Sequence, residues 1–362
     1  MSPVGPHQDS CANFSSLTLD GTQQPSPGLP GMASCPFWSI VHDEVWLNTS
    51  KVLVLVFFLF SLLVNIYLLS GLENSDSLSW QPRYMLLKNL VVSDLLQSLT
   101  MGPPVLHCLF RHQTLRFGGW CLAQFFSGAV AIITSLLTVV SMALERYVYT
   151  CHGIRYLVIM TNGRMYIFLT LIWLIGLAAA GTSTMLLLMG SDGFGHIISG
   201  FVCEPEVVQA QMKDSLPFET FNKVFVGSLL SFCLLVFLFS YGRMYQEARQ
   251  VLQPFEQDNI RACRTVLFYL GIFLLQLVPS AIRLITMFVR DVDCHLLVAV
   301  LVLIPPCINP LAYGLRNAEV TVTVVNTYTY ISSTPPRDNG LCQKLSLPLL
   351  VPESQKHSQF QN

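Results

Sequence analysis

The sequence predicts an all-α membrane protein folded as a seven-transmembrane helix bundle, on three observations. Its composition is 52% hydrophobic and only 11% charged over 362 residues, against roughly 25% charged residues in soluble domains. Its mean hydropathy is +0.54. Apolar stretches long enough to cross a hydrocarbon core ~30 Å thick recur seven times, near 51–70, 84–109, 120–149, 164–189, 219–246, 262–289 and 295–314. The formal net charge of −1 leaves no basic stripe that could track phosphates, so nucleic acid is not an expected partner. Eleven cysteines do not define a disulfide framework by count, because several sit inside apolar runs where Cys acts as a small hydrophobe.

In chain order, residues 1–48 are rich in Pro, Gly and Ser and lack a core pattern, which predicts a disordered extracellular tail. No basic region leads into a hydrophobic stretch there, so no signal peptide is expected and the first span serves as an uncleaved anchor. Asn13-Phe14-Ser15 and Asn48-Thr49-Ser50 match the glycosylation acceptor pattern. Polar joints fall near 71–83, 110–119, 150–163, 190–218, 247–261 and 290–294. Arg83, Lys88, Arg146, Arg155, Arg164, Arg243, Arg249, Arg261, Arg264 and Arg316 collect on one side of the spans. The other side has Lys51, Arg111, Arg116, Lys213, Lys223 and Arg290 among many acids. The richer side should be cytoplasmic, which puts the N-terminus outside and, after seven spans, the C-terminus on the cytoplasmic side. Residues 317–362 combine a β-branched run, Val320 to Val325, with Pro335-Pro336, and are expected to be a mostly disordered cytoplasmic tail. The membrane-spanning body is thus 49–316.

The third span organises the rest. From Cys121 to Arg146 a helix rising 1.5 Å per residue covers ~37 Å, so Cys121 lies at one membrane face and Glu145-Arg146-Tyr147 at the other. Asp94 sits deep in the second span, where an unpaired charge costs at least ~2.5–3.5 kcal/mol on insertion scales, and it needs partners. The other spans carry Asn65, Trp173, Tyr241 and Pro279 in order, and the seventh carries Asn309-Pro310-Leu311-Ala312-Tyr313.

This ordered set resembles the rhodopsin-like G-protein-coupled receptors. Pro82-Arg83-Tyr84-Met85, Ser141 to Tyr147 and Pro310 to Arg316 look most like odorant-type receptors, particularly those of fishes. The resemblance implies a Cys121–Cys203 disulfide over the bundle, with two free thiols as the alternative; Cys35 and Cys294 could form a second bridge. It implies that Asn65, Ser135 and Asn309 converge on Asp94, either as a plain packing cluster or around a sodium ion, for which oxygen ligands are suited. It also implies a coupling switch made of Glu145, Arg146, Tyr147, Tyr241, Asn309, Pro310 and Tyr313. There Arg146 pairs with Glu145 at rest and meets a heterotrimeric G-protein after the sixth span opens. Pro279 and Pro310 allow the kinks such a motion needs.

Several residues depart from the pattern. Leu277 replaces an aromatic residue before Pro279, and Cys233 stands where the fifth span usually has Pro; both bear on coupling. Gly128 occupies the position where amine receptors keep an Asp, which argues against a monoamine ligand. Gln124, Ser127, Gly128, Ile132, Phe225, Ser228, Ser280 and Arg283 are expected to line a mostly apolar small-molecule site. Arg283 is either an anchor for an anionic ligand or a side chain reaching the outer surface.

Neither a zinc-ligand spacing nor a hydrolase constellation occurs, and the glycine-rich 190–195 lacks phosphate-loop spacing, so no enzyme is expected. The expected function, as the resemblance implies it, is a plasma-membrane receptor that binds a small extracellular molecule of the odorant kind and activates a G-protein. A receptor-shaped protein that captures ligand without signalling is the alternative.

Overall fold

The computed structural model describes residues 37, 41, 44–73, 81–191, 201–203, 205–209, 212–251, 267–268, 270–274, 277–282, 284–285 and 295–315. Helices occupy all seven predicted spans. In chain order they are α1 (Glu44–Glu73), α2 (Pro82–Arg111), α3 (Gly119–Cys151), the short α4 (Gly153–Ile159), α5 (Asn162–Gly190), the short α6 (Pro205–Gln209) and α7 (Leu216–Val251). Residues 270–274 and 277–282 of the sixth span are helical. The seventh span is divided into α8 (His295–Leu301), α9 (Pro305–Asn309) and a π-type turn, Pro310–Leu315. By length and apolarity alone, α1, α3, α5 and α7 suffice to cross a membrane. The second span is as long, but its apolar run carries Asn89, Asp94 and Gln97, which are used inside the bundle.

α3 is the axis of the bundle, buried on nearly every face, whereas α1, α5 and α7 each leave a broad apolar face exposed. That is the pattern of helices whose outer faces meet lipid rather than water. Hydrogen bonds between side chains set the register. Asn89 donates from Nδ2 to Thr138 Oγ1 at 2.8 Å and accepts from Trp173 Nε1 at 2.8 Å, tying α2, α3 and α5 together.

The seventh span shows how the bundle tolerates three prolines. A proline removes the N–H that would bond the carbonyl four residues earlier. Pro306 thereby frees the Val302 carbonyl, which instead accepts from Gln97 Nε2 at 2.7 Å. Pro310 frees the Pro306 carbonyl, which accepts from Asn65 Nδ2 at 2.8 Å and Ser61 Oγ at 3.3 Å. Pro305 frees the Leu301 carbonyl, and the backbone N–H of Ile304 takes it in a tighter turn at 3.2 Å. The break between α8 and α9 is therefore bonded from α1 and α2.

Ordered structure reaches outside the predicted spans at two places. The tail predicted over 1–48 does not remain free to its end: α1 begins at Glu44, and Phe37 and Val41 are buried. Phe37 meets Phe201 edge-on at 5.6 Å and His112 at 5.6 Å, so an apolar side chain outside the spans finds an aromatic site at the Cys121 end. The joint 150–163 is also not a plain loop, because α4 forms within it. Residues 1–36 and 317–362 lie outside the described residues.

Replacing Gln97 by Leu leaves the buried Val302 carbonyl without its donor. The unfolding midpoint of the purified protein should fall, by the equivalent of about 1–3 kcal/mol. A pH effect is expected at the Cys121 end, where Lys51 Nζ lies 2.9 Å from His112 Nε2. Desolvation first, and then the Lys51 charge, hold His112 below its ordinary value. The folded state therefore prefers neutral imidazole, and this contribution is lost as pH falls through about 6.5 toward the lower folded value. Thermal melts between pH 7.5 and 5 should show that loss, and His112→Gln should remove that part of it.

Candidate functional site

The buried polar centre is built on Asp94. Its carboxylate accepts from Ser135 Oγ at 2.9 Å and from Asn309 Nδ2 at 3.1 and 3.3 Å, joining α2, α3 and α9. Asn65 does not bond this carboxylate. Its amide goes to the carbonyls of Ser61 and Pro306, one step along the same network. Ser98 Oγ lies 2.9 Å from the Asp94 carbonyl and 2.6 Å from the Ser61 hydroxyl, which closes that step. The Asp94 carboxylate and Ser135 hydroxyl are hard oxygen donors, of the kind that suits a sodium ion, and Asn309 Nδ2 lies against both carboxylate oxygens.

At the Arg146 end, Glu145 is buried. Its Oε1 accepts from the Tyr156 hydroxyl at 2.7 Å, so the short α4 is hydrogen-bonded onto the end of α3. Arg83 and Arg146 both act on Glu145 electrostatically. Burial first, then donation to Glu145, push the Tyr156 phenol above its ordinary value, and it remains a donor at physiological pH. Tyr156 lies outside the set of switch residues that the resemblance implies. It lies eleven positions beyond Glu145 across a helix break, and only the fold of α4 brings the two together. Tyr147 meets His152 and, across in α7, Phe239, each edge-on at 5.5 Å.

The fifth and sixth spans touch through aromatic rings. Tyr241 lies 4.4 Å from Phe237, and Phe237 stacks on Phe273 of the sixth span at 3.9 Å between centroids. Cys233 and Leu277 are buried in the same cluster. The aromatic residue of this part of the sixth span is thus Phe273, one turn before Leu277. Asn309 and Pro310 are buried, and Tyr313 belongs to the π-type turn; its side chain lies outside the described residues.

Toward the Cys121 end, a cavity of about 110 Å³ opens between α3, α5 and α7, with Ile132, Phe225 and Ser280 on its walls. Ala179, Ala180 and Ser183 of α5 and Phe221, Asn222 and Leu229 of α7 also line it. Cys203 also lines it and is joined to Cys121 by a disulfide with 5.5 Å between Cα atoms. Gly128 packs against Met101: a Cβ at 128 would collide with the Met101 methyl, so an acid there would force Met101 aside. Gln124 is buried beside Met101, off the cavity lining, and its Oε1 has no hydrogen-bond partner among the described residues. Ser127 and Ser228 bond carbonyls of their own helices, and Ser228 is exposed on the outside of α7. Asn48 is exposed in the first turn of α1. Asn13, Cys35, Arg283 and Cys294 lie outside the described residues.

Tyr156→Phe keeps the edge-on packing with Tyr149 at 5.2 Å but strips a donor from a buried carboxylate. A loss of about 1–2 kcal/mol should appear as a lower unfolding midpoint at neutral pH.

Comparison with known proteins agrees with this geometry. A family model described as the 7 transmembrane receptor (rhodopsin family) matches residues 64–313, more than half of the chain. Human olfactory receptor 4F6 is 26% identical over 79% of this chain and 94% of its own length. Human olfactory receptor 14I1 is 27% identical over 69% and 81%, and mouse olfactory receptor 4M1 27% identical over 77% and 90%. These relatives are mammalian, and the finer likeness to fish receptors rests on the sequence motifs alone. The chain belongs to the rhodopsin family of seven-transmembrane receptors, as a multi-pass plasma-membrane G-protein-coupled receptor of olfactory-receptor type and not an enzyme.

Proposed function

We propose that the protein binds a small, odorant-type molecule from outside the cell and activates a heterotrimeric G-protein at the Arg146 end. The observation that carries this reading is the separation of two specialised ends along α3. The cavity lies beside the Cys121–Cys203 disulfide, and Glu145-Arg146-Tyr147 closes the opposite end. Between them, Asp94, Ser135 and Asn309 link α3 to the proline-broken seventh span. A ligand that favours one arrangement of that span shifts the population of states and with it the exposure of Arg146. The Phe237–Phe273 stack and Tyr241 are positioned to follow the movement of the sixth span.

In this reading the N-terminus is extracellular, Asn13 and Asn48 are glycosylation acceptors, and the C-terminus is cytoplasmic, in accord with the Lys/Arg bias. Asp94 and Ser135 would hold a sodium ion. When bound, such an ion supplies the positive charge that a carboxylate in an apolar interior otherwise lacks.

The test is cAMP signalling in cells, basal and across an odorant panel, with surface expression matched. Arg146→Ala should abolish the response at equal surface level; an unchanged response would refute the proposed switch. Silence of the well-expressed wild type across reporters for several G-proteins would refute coupling. Exchanging an organic cation for sodium at constant ionic strength should raise the unfolding midpoint of wild type and leave Asp94→Asn unmoved.

A further inference from the structure

We infer that the Ser183–Asn222 pair is the polar specificity element of the cavity. It would select neutral, largely apolar ligands that carry one acceptor oxygen of the ketone, aldehyde or ester kind. This rests on reading the cavity as the ligand site, and it names the ligand class that site takes. Asn222 and Ser183 are each more than nine-tenths buried, and both lie on the cavity wall. Among the described lining residues none is charged, and Ser280 is the other side chain with a hydroxyl.

The hydrogen bonds of the pair determine what it can still offer. Asn222 Nδ2 donates to the Phe218 carbonyl at 2.9 Å. A carbonyl only accepts, so this contact decides which end of the amide is nitrogen. Oδ1 then faces Ser183, whose hydroxyl donates to it at 3.0 Å. The Ser183 proton is thereby used, and one N–H of Asn222 remains as the unspent donor of the pair. A buried N–H in an apolar cavity gains most from an acceptor oxygen, because water is a poor competitor there. Acids and amines would bring a charge to a wall with no described counter-charge, and burial penalises them.

Size narrows the class further. At about 110 Å³ the cavity is of the order of an engineered apolar cavity that holds benzene, which corresponds to ligands of roughly six to ten non-hydrogen atoms.

The test uses the purified full-length receptor in detergent, without G-protein. It reads the shift of the unfolding midpoint against concentration for 2-heptanone and heptane, benzaldehyde and toluene, heptanoic acid and heptylamine. In the wild type, each carbonyl compound should bind about 5- to 10-fold more tightly than its hydrocarbon partner. Asn222→Leu should erase that difference and leave the hydrocarbon affinities unchanged, which also reports that the variant is folded. Asn222→Thr should do the same, since a mid-helix Thr hydroxyl bonds the carbonyl four residues back, as Thr100 and Thr184 do here. The inference is overturned if the wild type makes no distinction within the pairs, or if the distinction survives both substitutions. It is equally overturned if the acid or the amine binds most tightly, or if none of the six compounds shifts the midpoint. In the wild type, ketone binding without any G-protein response would refute coupling and leave this inference standing.

Discussion

The structure depends on one constraint: in a hydrocarbon solvent, a backbone polar group that loses its helical partner must find another within the chain. The seventh span shows the consequence most clearly. Three prolines leave three carbonyls without their usual donors, and Gln97, Asn65, Ser61 and the Ile304 N–H replace them. Asp94, a few residues from Gln97 on α2, is bonded by Ser135 and Asn309 within the same region. The broken span and the buried carboxylate are thus parts of one hydrogen-bonded assembly that spans α1, α2, α3 and α9.

That assembly lies between the two ends that matter for a receptor. α3 contributes to all three regions: Cys121 and Ile132 near the cavity, Ser135 at the centre, and Glu145 to Tyr147 at the far end. Packed interiors are close to incompressible, so a shift at one end of such a helix is transmitted rather than absorbed. A helix break held by side-chain bonds from neighbouring helices differs from a continuous helix in that the bonds can be exchanged without unwinding a turn. Each replaces a backbone bond of comparable strength.

The spans were legible because their signal is additive: about twenty apolar residues mark a crossing whatever surrounds them. Asp94 was legible for a different reason, since a charge deep in an apolar run requires a partner, whereas Ser135 and Asn309 as its partners came from the family resemblance. The choice of partner was less legible. Asn65, expected at the carboxylate, bonds the Pro306 carbonyl instead, because Pro310 leaves that carbonyl open. Tyr156 and Phe273 gave little sign of their roles. One depends on α4 forming in what reads as a loop, and the other on the rotation that sets Phe273 against Phe237. The lining of the cavity overlaps in part with the residues expected around a small-molecule site. Ile132, Phe225 and Ser280 line the cavity, whereas Ser183 and Asn222 carry no sequence signal beyond being polar in apolar runs.

The sequence by itself determined the solvent, the number of spans, their order and the family, because these follow from composition, length and short motifs that do not depend on contacts. Tertiary structure alone decided which faces of the helices meet. It set Ser183 against Asn222, turned Gly128 onto Met101 rather than into the cavity, folded Phe37 onto Phe201, and gave the proline-freed carbonyls their donors. The physical reason is that helix rotation in a bundle is chosen by the sum of many weak contacts and a few buried hydrogen bonds between segments far apart in the chain. No local stretch of sequence carries that sum.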